Sequence, residues 1–219
     1  MTYNEISVVT TTYNEEENIG ELIKRIRGLG FKVYMIVVDD SSTDNTAKIS
    51  YMLANKTIVK KREGQTIGLW YGILNSKDNI VVTIDADLEN PPELIPFMLN
   101  EFIKNDCGVL VASRDRLPRF SEKMSSKIFK KIIKVNDVYS NFRIYKKQCL
   151  NGFTPRLGET FGLELLLFLK KNKCKFCEFT YHAPPRRANP RIGGKVKANI
   201  RALNSTLKSL IGDLIYYRG

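Results

Sequence analysis

Residues 6–26 have the sequence ISVVTTTYNEEENIGELIKRI, which changes from a strand pattern to a helix pattern within a few residues. The first six residues are mostly β-branched and lack helical periodicity, so they predict a strand over 6–11. Asn14 and the three glutamates after it predict the start of a helix, because carboxylates are stabilised near a helix N-terminus. Apolar residues then recur at helical spacing until a glycine ends the helix: Ile19, Leu22, Ile23, Ile26 and Gly28.

The same alternation of strand and helix continues to residue 113. Apolar or β-branched runs predict further strands over 33–38, 57–60, 80–84 and 109–112. Helical patterns between them open at Thr43 and cover 66–75 and 91–104. This order predicts an α/β fold with a mostly parallel sheet, right-handed crossovers and helices on both faces.

Beyond residue 113 the sequence becomes basic. Residues 1–103 carry 10 Lys and Arg against 15 Asp and Glu, whereas residues 104–219 carry 25 against 8. A basic half favours a polyanionic partner, which could be nucleic acid, an anionic membrane surface or a phosphorylated substrate. We predict a single domain over 1–219 with three parts: a strand–helix half over 1–113, a basic half over 114–195 and a C-terminal amphipathic helix over 196–219.

The basic half has weaker periodicity. It predicts a helix towards residue 134, strands over 142–145 and 176–181, a helix over 160–171 and a proline-rich loop over 183–194. The helix that follows, from Lys195 to Tyr217, has apolar residues at steps of three and four. It is expected either to lie on a membrane surface or to pack on its own domain.

Acidic side chains follow the predicted strands, where α/β sheets bind their ligands. Asp85 and Asp87 leave a buried strand, with Glu89 two residues further on. Like charges placed so closely need a compensating cation, and oxygen ligands suit Mg²⁺ or Mn²⁺. The alternative is that the two aspartates cap the following helix. The position of the pair at the end of an apolar strand favours the metal.

Other kinds of site lack their signals. No glycine-rich phosphate loop follows the first strand, which argues against a dinucleotide fold or a P-loop enzyme. The single histidine, His182, argues against a zinc site built on Cys174 and Cys177. No signal peptide and no span of about 18 apolar residues is seen. We therefore expect a cytoplasmic chain with four reduced thiols.

Four segments together resemble a known family. They are TTYNEEENI at 11–19, VVDDSSTDNT at 37–46, IDADLENPPELIP at 84–96 and ASR at 112–114. The set is similar to the inverting glycosyltransferases of family two, which have the GT-A fold, and most of all to dolichyl-phosphate mannose synthases. The likeness extends more loosely through DVYSNFRIYK at 137–146, Glu164 and the arginine-rich loop that ends at Lys195.

The resemblance implies roles for particular residues. The residues implied to bind the donor are Tyr13, Glu15, Asp40 and Asp85, and those implied to bind the metal are Asp85, Asp87 and Glu89. The residues implied to bind the acceptor phosphate are Arg114, Lys123, Ser126, Arg187 and Arg191. The implied catalytic residues are Asp87, Arg114 and Arg187. Glu122 stands where the family has a phosphate-binding arginine, so Arg119 or Lys123 would have to supply that charge.

The implied reaction transfers a hexose from a nucleoside diphosphate sugar to a polyprenyl phosphate, with Mg²⁺ or Mn²⁺ as cofactor. The resemblance favours mannose from GDP-mannose, with glucose from a UDP donor second. A phosphate acceptor is already ionised near neutral pH and needs no catalytic base, which agrees with the scarcity of histidine. The expected location is peripheral, on the cytoplasmic face of an anionic membrane, with a membrane-anchoring subunit as a further partner.

Two alternatives stay open. A related transferase with a glycan acceptor would need a carboxylate base to deprotonate a hydroxyl, and Asp137 is the candidate. A nucleic-acid-binding module built on the basic half is the more distant alternative. It is disfavoured because no recognised binding motif is present and the acidic strand ends would repel phosphates.

Overall fold

The computed structural model describes residues 5–117, 119–160, 162–184 and 194–216. Its strands are β1 Glu5–Thr12, β2 Lys32–Asp39, β3 Lys56–Val59, β4 Ile80–Thr83, β5 Val109–Arg114, β6 Arg143–Lys146 and β7 Phe176–Tyr181. Its α-helices are α1 Ile19–Arg27, α2 Thr46–Leu53, α3 Gln65–Leu74, α4 Ile95–Lys104, α5 Phe120–Ile133, α6 Leu163–Lys171 and α7 Gly194–Tyr216.

The seven strands form one sheet in the order β3-β2-β1-β4-β6-β5-β7. Only β6 is antiparallel to its neighbours, β4 and β5, and the remaining pairs are parallel. The carboxyl ends of β1, β4 and β5 therefore meet at one edge. This confirms the predicted α/β fold with a mostly parallel sheet.

Apolar side chains of β1 point alternately to the two faces of the sheet and contribute to two core layers. Ile6 and Val8 pack with α1 and α4 on one face of the sheet, and Val9 packs with α3, α5 and α6 on the other. Strands covered on both faces need apolar residues at successive positions, which explains the unbroken apolar runs in the sequence. α7 lies outside the second layer, against α5 and α6.

The start of α1 differs from the prediction. The helix begins at Ile19 with Asn18 at its N-cap, so the assignment of Asn14 as the cap is wrong. Asn14 instead adopts a left-handed backbone (φ 53°), its N–H donates to Ser42 Oγ, and its side-chain oxygen accepts from the N–H of Thr43. These bonds tie the end of β1 to the loop after β2.

The cysteines also differ from the prediction. Cys107 and Cys177 are joined in a disulfide with Cα atoms 5.9 Å apart, so the expectation of four reduced thiols is wrong for this pair. The two residues meet because Cys107 lies just before β5 and Cys177 lies on the neighbouring strand β7. Cys149 and Cys174 are free.

None of the helices in the described ranges is both long enough and apolar enough to cross a bilayer. The predicted C-terminal helix is present as α7. Most of the predicted loop over 183–194, including residues 185–193, lies outside the described residues.

Candidate active site

A cavity of about 560 Å³ opens at the carboxyl ends of β1, β4 and β5. Its lining includes residues that follow β1 and β4, the segment after β5, residues before β6 and after β7, and residues of α5 and α7. Ligands of open α/β sheets bind at this edge. Five of the predicted site residues line the cavity: Glu15, Asp85, Asp87, Glu89 and Arg114.

The carboxylates after β4 are held by neighbouring polar groups. Asp85 accepts hydrogen bonds from the side-chain amides of Gln65 and Asn90, at 2.5 and 3.1 Å. One oxygen of Asp87 accepts the backbone N–H of Glu89 at 3.1 Å. The loop after β4 thus contributes three acidic residues to the lining of the cavity.

Crowding perturbs these carboxylates. Burial, followed by the charges of Asp85 and Glu89, raises the pKa of Asp87 to about 7. Burial also raises the pKa of Asp85, against the opposing effects of the Gln65 hydrogen bond and the Arg114 charge. A divalent cation would relieve this repulsion, and carboxylate oxygens are the ligands that Mg²⁺ and Mn²⁺ prefer.

The donor set therefore suits such a cation in charge and chemistry. No three acidic, histidine or cysteine side chains in the described part of the chain are already gathered in a ligand arrangement. Asp85, Asp87 and Glu89 would hold the metal after a local adjustment of their side chains.

Two predicted donor-binding residues lie beside the cavity rather than on its wall. Arg62 stacks on the ring of Tyr13, with its guanidinium carbon 3.6 Å from the ring centre. Asp40 pairs with Lys60 and accepts the backbone N–H groups of Glu63 and Gly64, each at 3.0 Å. Although burial acts in the opposite direction, these contacts hold the pKa of Asp40 below its ordinary value.

Arg114 lines the same cavity as the carboxylates and is itself paired with acids. Its Nε and Nη2 atoms donate to the two oxygens of Asp137, at 2.6 and 3.1 Å. Glu122 lies 3.7 Å from Arg114 and 3.6 Å from Arg119. Burial raises the pKa of Glu122, and the two arginines act against that rise.

Asp137 is almost completely buried and does not line the cavity. Its carboxylate serves as the counter-ion of Arg114. The structure therefore does not place it where the glycan-acceptor alternative needs a base.

Two of the remaining predicted acceptor residues are described, Lys123 and Ser126, and neither lines the cavity. Lys123 is exposed on α5. The buried Ser126 donates its hydroxyl hydrogen bond to the backbone carbonyl of Asn136. Arg187 and Arg191 lie outside the described residues. The roles of these four residues stay predictions.

Several lining residues were absent from the predicted set: Gln65, Asn90, Arg116, Tyr139, His182 and Arg201. A signal existed for two of them. Arg116 closely follows β5 and Gln65 follows the short β3, so inspection of every strand end would have included both. Arg201 had no such signal, because its position depends on how α7 packs.

Hydrogen bonds join α5 and α7 along a polar seam. Ser121 Oγ donates to Asn199 Oδ1 at 2.6 Å, and the hydroxyls of Ser125 and Thr206 are 2.7 Å apart. The Tyr139 hydroxyl donates to the Ala202 carbonyl at 2.6 Å. Since successive contacts advance along both helices, α5 and α7 run parallel.

The parallel arrangement creates a shared apolar surface. The seam residues are those that bond across the two helices, such as Ser121 on α5 and Asn199 on α7. Because the helices are parallel, the residue before each seam residue of α5 and the residue after each seam residue of α7 face the same side of the pair. Exposed apolar residues occupy this side, including Phe120 at 74% and Leu207 at 58% exposure. We call the set the α5–α7 apolar face: Phe120, Met124, Ile128, Ile200, Leu207, Ile211 and Ile215.

Comparison with known proteins gives a family and two groups of relatives. Residues 7–165 match the family model described as Glycosyl transferase family 2. The chain is 29% identical to a dolichol-phosphate mannosyltransferase of Pyrococcus furiosus, covering 93% of this chain and 64% of that protein. It is also 29% identical to an undecaprenyl-phosphate 4-deoxy-4-formamido-L-arabinose transferase of Proteus mirabilis, covering 73% and 57%. The chain thus spans well under the full length of these relatives.

Solved structures resemble the fold more widely. A glucosyl-3-phosphoglycerate synthase of Mycobacterium tuberculosis, in complex with Mn²⁺, UDP and glucosyl-3-phosphoglycerate, has a TM-score of 0.73 at 21% identity and covers 93% of this chain and 80% of that chain. The same synthase with Mg²⁺ and UDP has a TM-score of 0.72 at 23% identity, with coverages of 93% and 79%. These likenesses confirm the predicted GT-A fold.

Proposed function

This chain belongs to glycosyl transferase family 2, and from that premise we propose that it transfers a hexose from a nucleoside diphosphate sugar to the phosphate of a polyprenyl phosphate, with inversion. Mannose from GDP-mannose is the first donor to test, and glucose from a UDP donor the second. The relatives named for dolichol-phosphate and undecaprenyl-phosphate transfer support the lipid acceptor. Because these relatives are named for different sugars, the sugar donor of this chain has to be identified by experiment.

One observation carries the proposal: a single cavity is lined both by the carboxylates Asp85, Asp87 and Glu89 and by arginines, among them Arg114 and Arg116. The carboxylates suit a diphosphate only together with a cation, since bare carboxylates repel phosphate. The arginines suit a phosphate directly, because guanidinium groups bind it in a bidentate manner. The reacting carbon of the sugar would lie between these two groups.

Asp85, Asp87 and Glu89 would hold Mg²⁺ or Mn²⁺. When bound, the metal neutralises charge that develops on the departing nucleoside diphosphate. The similar structures are complexes with Mn²⁺ or Mg²⁺, which supports this cofactor. Glu15, Tyr13 and Asp40 would orient the nucleoside around the end of β1, completing the donor side.

The acceptor phosphate would attack without a base. Its second pKa is about 6, so it is largely ionised at neutral pH and needs only to be positioned. Arg114, held in place by Asp137, would orient the acceptor phosphate in the cavity. We keep Lys123, Ser126, Arg187 and Arg191 as proposed contributors on the acceptor side.

The α5–α7 apolar face supports a membrane-bound acceptor. Exposed lysines on the outer side of α5 border the face: Lys123, Lys127 and Lys131. An apolar strip bordered by cations suits the interface of an anionic bilayer. We propose that the chain acts on the cytoplasmic side of such a membrane, with or without an anchoring subunit.

A donor panel tests the reaction. Purified protein is incubated with polyprenyl phosphate, Mg²⁺ or Mn²⁺, and labelled GDP-mannose or UDP-glucose in parallel reactions. The expected result is labelled lipid with one of the donors and none after chelation by EDTA. Undiminished transfer in EDTA would contradict the metal role. No labelled lipid with these or other nucleotide sugars would contradict the proposed reaction.

A hydroxyl acceptor is the second candidate, and one pair of residues favours it. His182 Nδ1 lies 2.8 Å from Asp115 Oδ2, and both residues line the cavity. A carboxylate that orients an imidazole is an arrangement able to deprotonate a hydroxyl. If the acceptor is a hydroxyl, His182→Asn should reduce kcat by about 100-fold or more. With a phosphate acceptor the same change should have little effect on kcat.

A further inference from the structure

We propose that Arg201 of α7, together with Arg116, binds the phosphate of the acceptor. This inference rests on the proposed function, and it adds two residues to those suggested by the family resemblance. Both residues line the cavity that Asp85, Asp87 and Glu89 also line.

The other two arginines of the lining, Arg114 and Arg119, already face acids. Arg114 is engaged by Asp137 at 2.6 Å, and Glu122 lies within 4 Å of both Arg114 and Arg119. Two acids thus face two arginines in this cluster. A third carboxylate, Asp115, is paired with His182. The cluster around Arg114 has little net positive charge to offer an incoming anion.

Arg116 and Arg201 differ from these residues. Neither side chain forms a hydrogen bond or an ion pair within the described parts of the chain. Both side chains are exposed. Their guanidinium groups can therefore turn towards a ligand without breaking an existing pair, and each can bind a phosphate with two parallel N–H donors.

The surroundings of Arg201 favour a phosphate that carries an apolar tail. Ile200, beside it on α7, is 52% exposed and belongs to the α5–α7 apolar face. Phe120 stands at the beginning of α5, where Ser121 bonds to Asn199 and closes the seam. An acceptor could place its phosphate at Arg201 and its chain along the adjoining face. A polyprenyl phosphate has this division of polar and apolar parts.

The test uses the full chain and a short, water-soluble prenyl phosphate without membranes, so that surface attraction to lipid plays no part. Dissociation constants are measured by calorimetry, and KM and kcat with the same acceptor. The variants are Arg201→Ala, Arg201→Lys and Arg116→Ala. Lys208→Ala serves as the control, because Lys208 is exposed on α7 two turns away and its loss changes the net charge equally.

We expect Arg201→Ala and Arg116→Ala each to weaken prenyl phosphate binding about tenfold, the loss of a charge-assisted contact. Arg201→Lys should fall between wild type and Arg201→Ala, since it keeps the charge and loses the fork. Lys208→Ala and the affinity for the nucleoside diphosphate should not change. Circular dichroism confirms that each variant is folded.

Two results would overturn the inference while leaving the proposed function intact. One is that the wild-type protein binds and uses the prenyl phosphate and that Arg201→Ala binds it equally well. The other is an equal loss in Lys208→Ala, which would show a general effect of net charge. If the wild-type protein binds no prenyl phosphate and transfers sugar only to a hydroxyl, the proposed function and this inference both fail.

Discussion

The side chains around Arg114 illustrate how local composition determines what an arginine can do. Sequence motifs identify Arg114 as a candidate for phosphate binding, but they do not indicate that Asp137 occupies two of its donors. Asp137 lies 23 residues further along the chain and reaches Arg114 through the fold. The candidate was therefore found from sequence, whereas its state of charge pairing required the structure.

The ion pair itself should stabilise the fold. Asp137→Asn leaves the largely buried Arg114 without its main counter-ion, which we expect to lower the free energy of unfolding by about 2–3 kcal/mol. Urea denaturation measures the loss. Glu93→Gln is the matched control, because its pair with Arg25 is exposed and should cost less than about 1 kcal/mol. Equal losses in the two variants would contradict the assignment of a buried pair.

Asp87 should make stability depend on pH in the absence of metal. Its pKa is raised to about 7 in the folded chain, above the ordinary value of 3.8, so folding favours the protonated form. Stability therefore falls as pH rises from about 4 to about 7, and this contribution then levels off. Asp87→Asn removes the penalty. In EDTA at about pH 8 the variant should be about 1–2 kcal/mol more stable than wild type.

The same variant should lose sugar transfer while remaining folded. Below about pH 3 its stability advantage should disappear, because wild-type Asp87 is then protonated in both the folded and the unfolded state. Thermal unfolding at a series of pH values measures the difference. A constant difference at every pH would indicate that burial and neighbouring charges do not perturb this carboxylate.

At the scale of elements, α7 shows what periodicity reveals and what it omits. The spacing of apolar residues predicted a helix from 195 to 217, and the structure has one at Gly194–Tyr216. The sequence left open whether that helix packs on its own domain or faces a membrane. The packing is confirmed, since α7 contacts α5 and α6. The membrane contact stays a proposal, supported by the apolar residues that α7 exposes on another side.

The α5–α7 apolar face should bind lipid. Phe120→Asp combined with Leu207→Asp places two charges on it, and we expect binding to anionic vesicles to fall at least tenfold, since burying each side chain is worth about 1.5–3 kcal/mol. Co-sedimentation at low salt measures this. Met52→Asp, at an exposed apolar site on α2, is the control and should bind like wild type. Equal loss in the control would disprove the role of this face.

At the scale of the whole molecule, the change from an acidic to a basic half predicted a polyanionic partner, whereas the cavity lined by groups of both charges required the structure. The alternation of strands and helices along the chain correctly predicted the parallel part of the sheet. The antiparallel β6 and the disulfide between Cys107 and Cys177 were not foreseen, because both depend on which strands become neighbours in space. Distant pairing of this kind leaves no periodic signal in the sequence.

Ligand binding should stabilise the whole domain. A nucleoside diphosphate with Mn²⁺ at about 100 times its dissociation constant adds about 2.7 kcal/mol, which raises Tm by about 5–10 °C in a chain of this size. The nucleoside diphosphate alone or Mn²⁺ alone should raise Tm less, since each neutralises the charge of the other in the site. Comparing GDP with UDP in this assay identifies the preferred base. An unchanged Tm with every nucleotide would argue against a donor site at these strand ends.

The central claim is that the acceptor is a phosphate, and a matched pair of acceptors tests it most directly. Polyprenyl phosphate and the corresponding polyprenol, of equal chain length, are offered with the donor selected in the nucleotide panel and with Mn²⁺. The account predicts sugar transfer to the phosphate alone, with a product that releases the sugar in mild acid. Transfer to the polyprenol at a comparable rate, or to the polyprenol only, would contradict it.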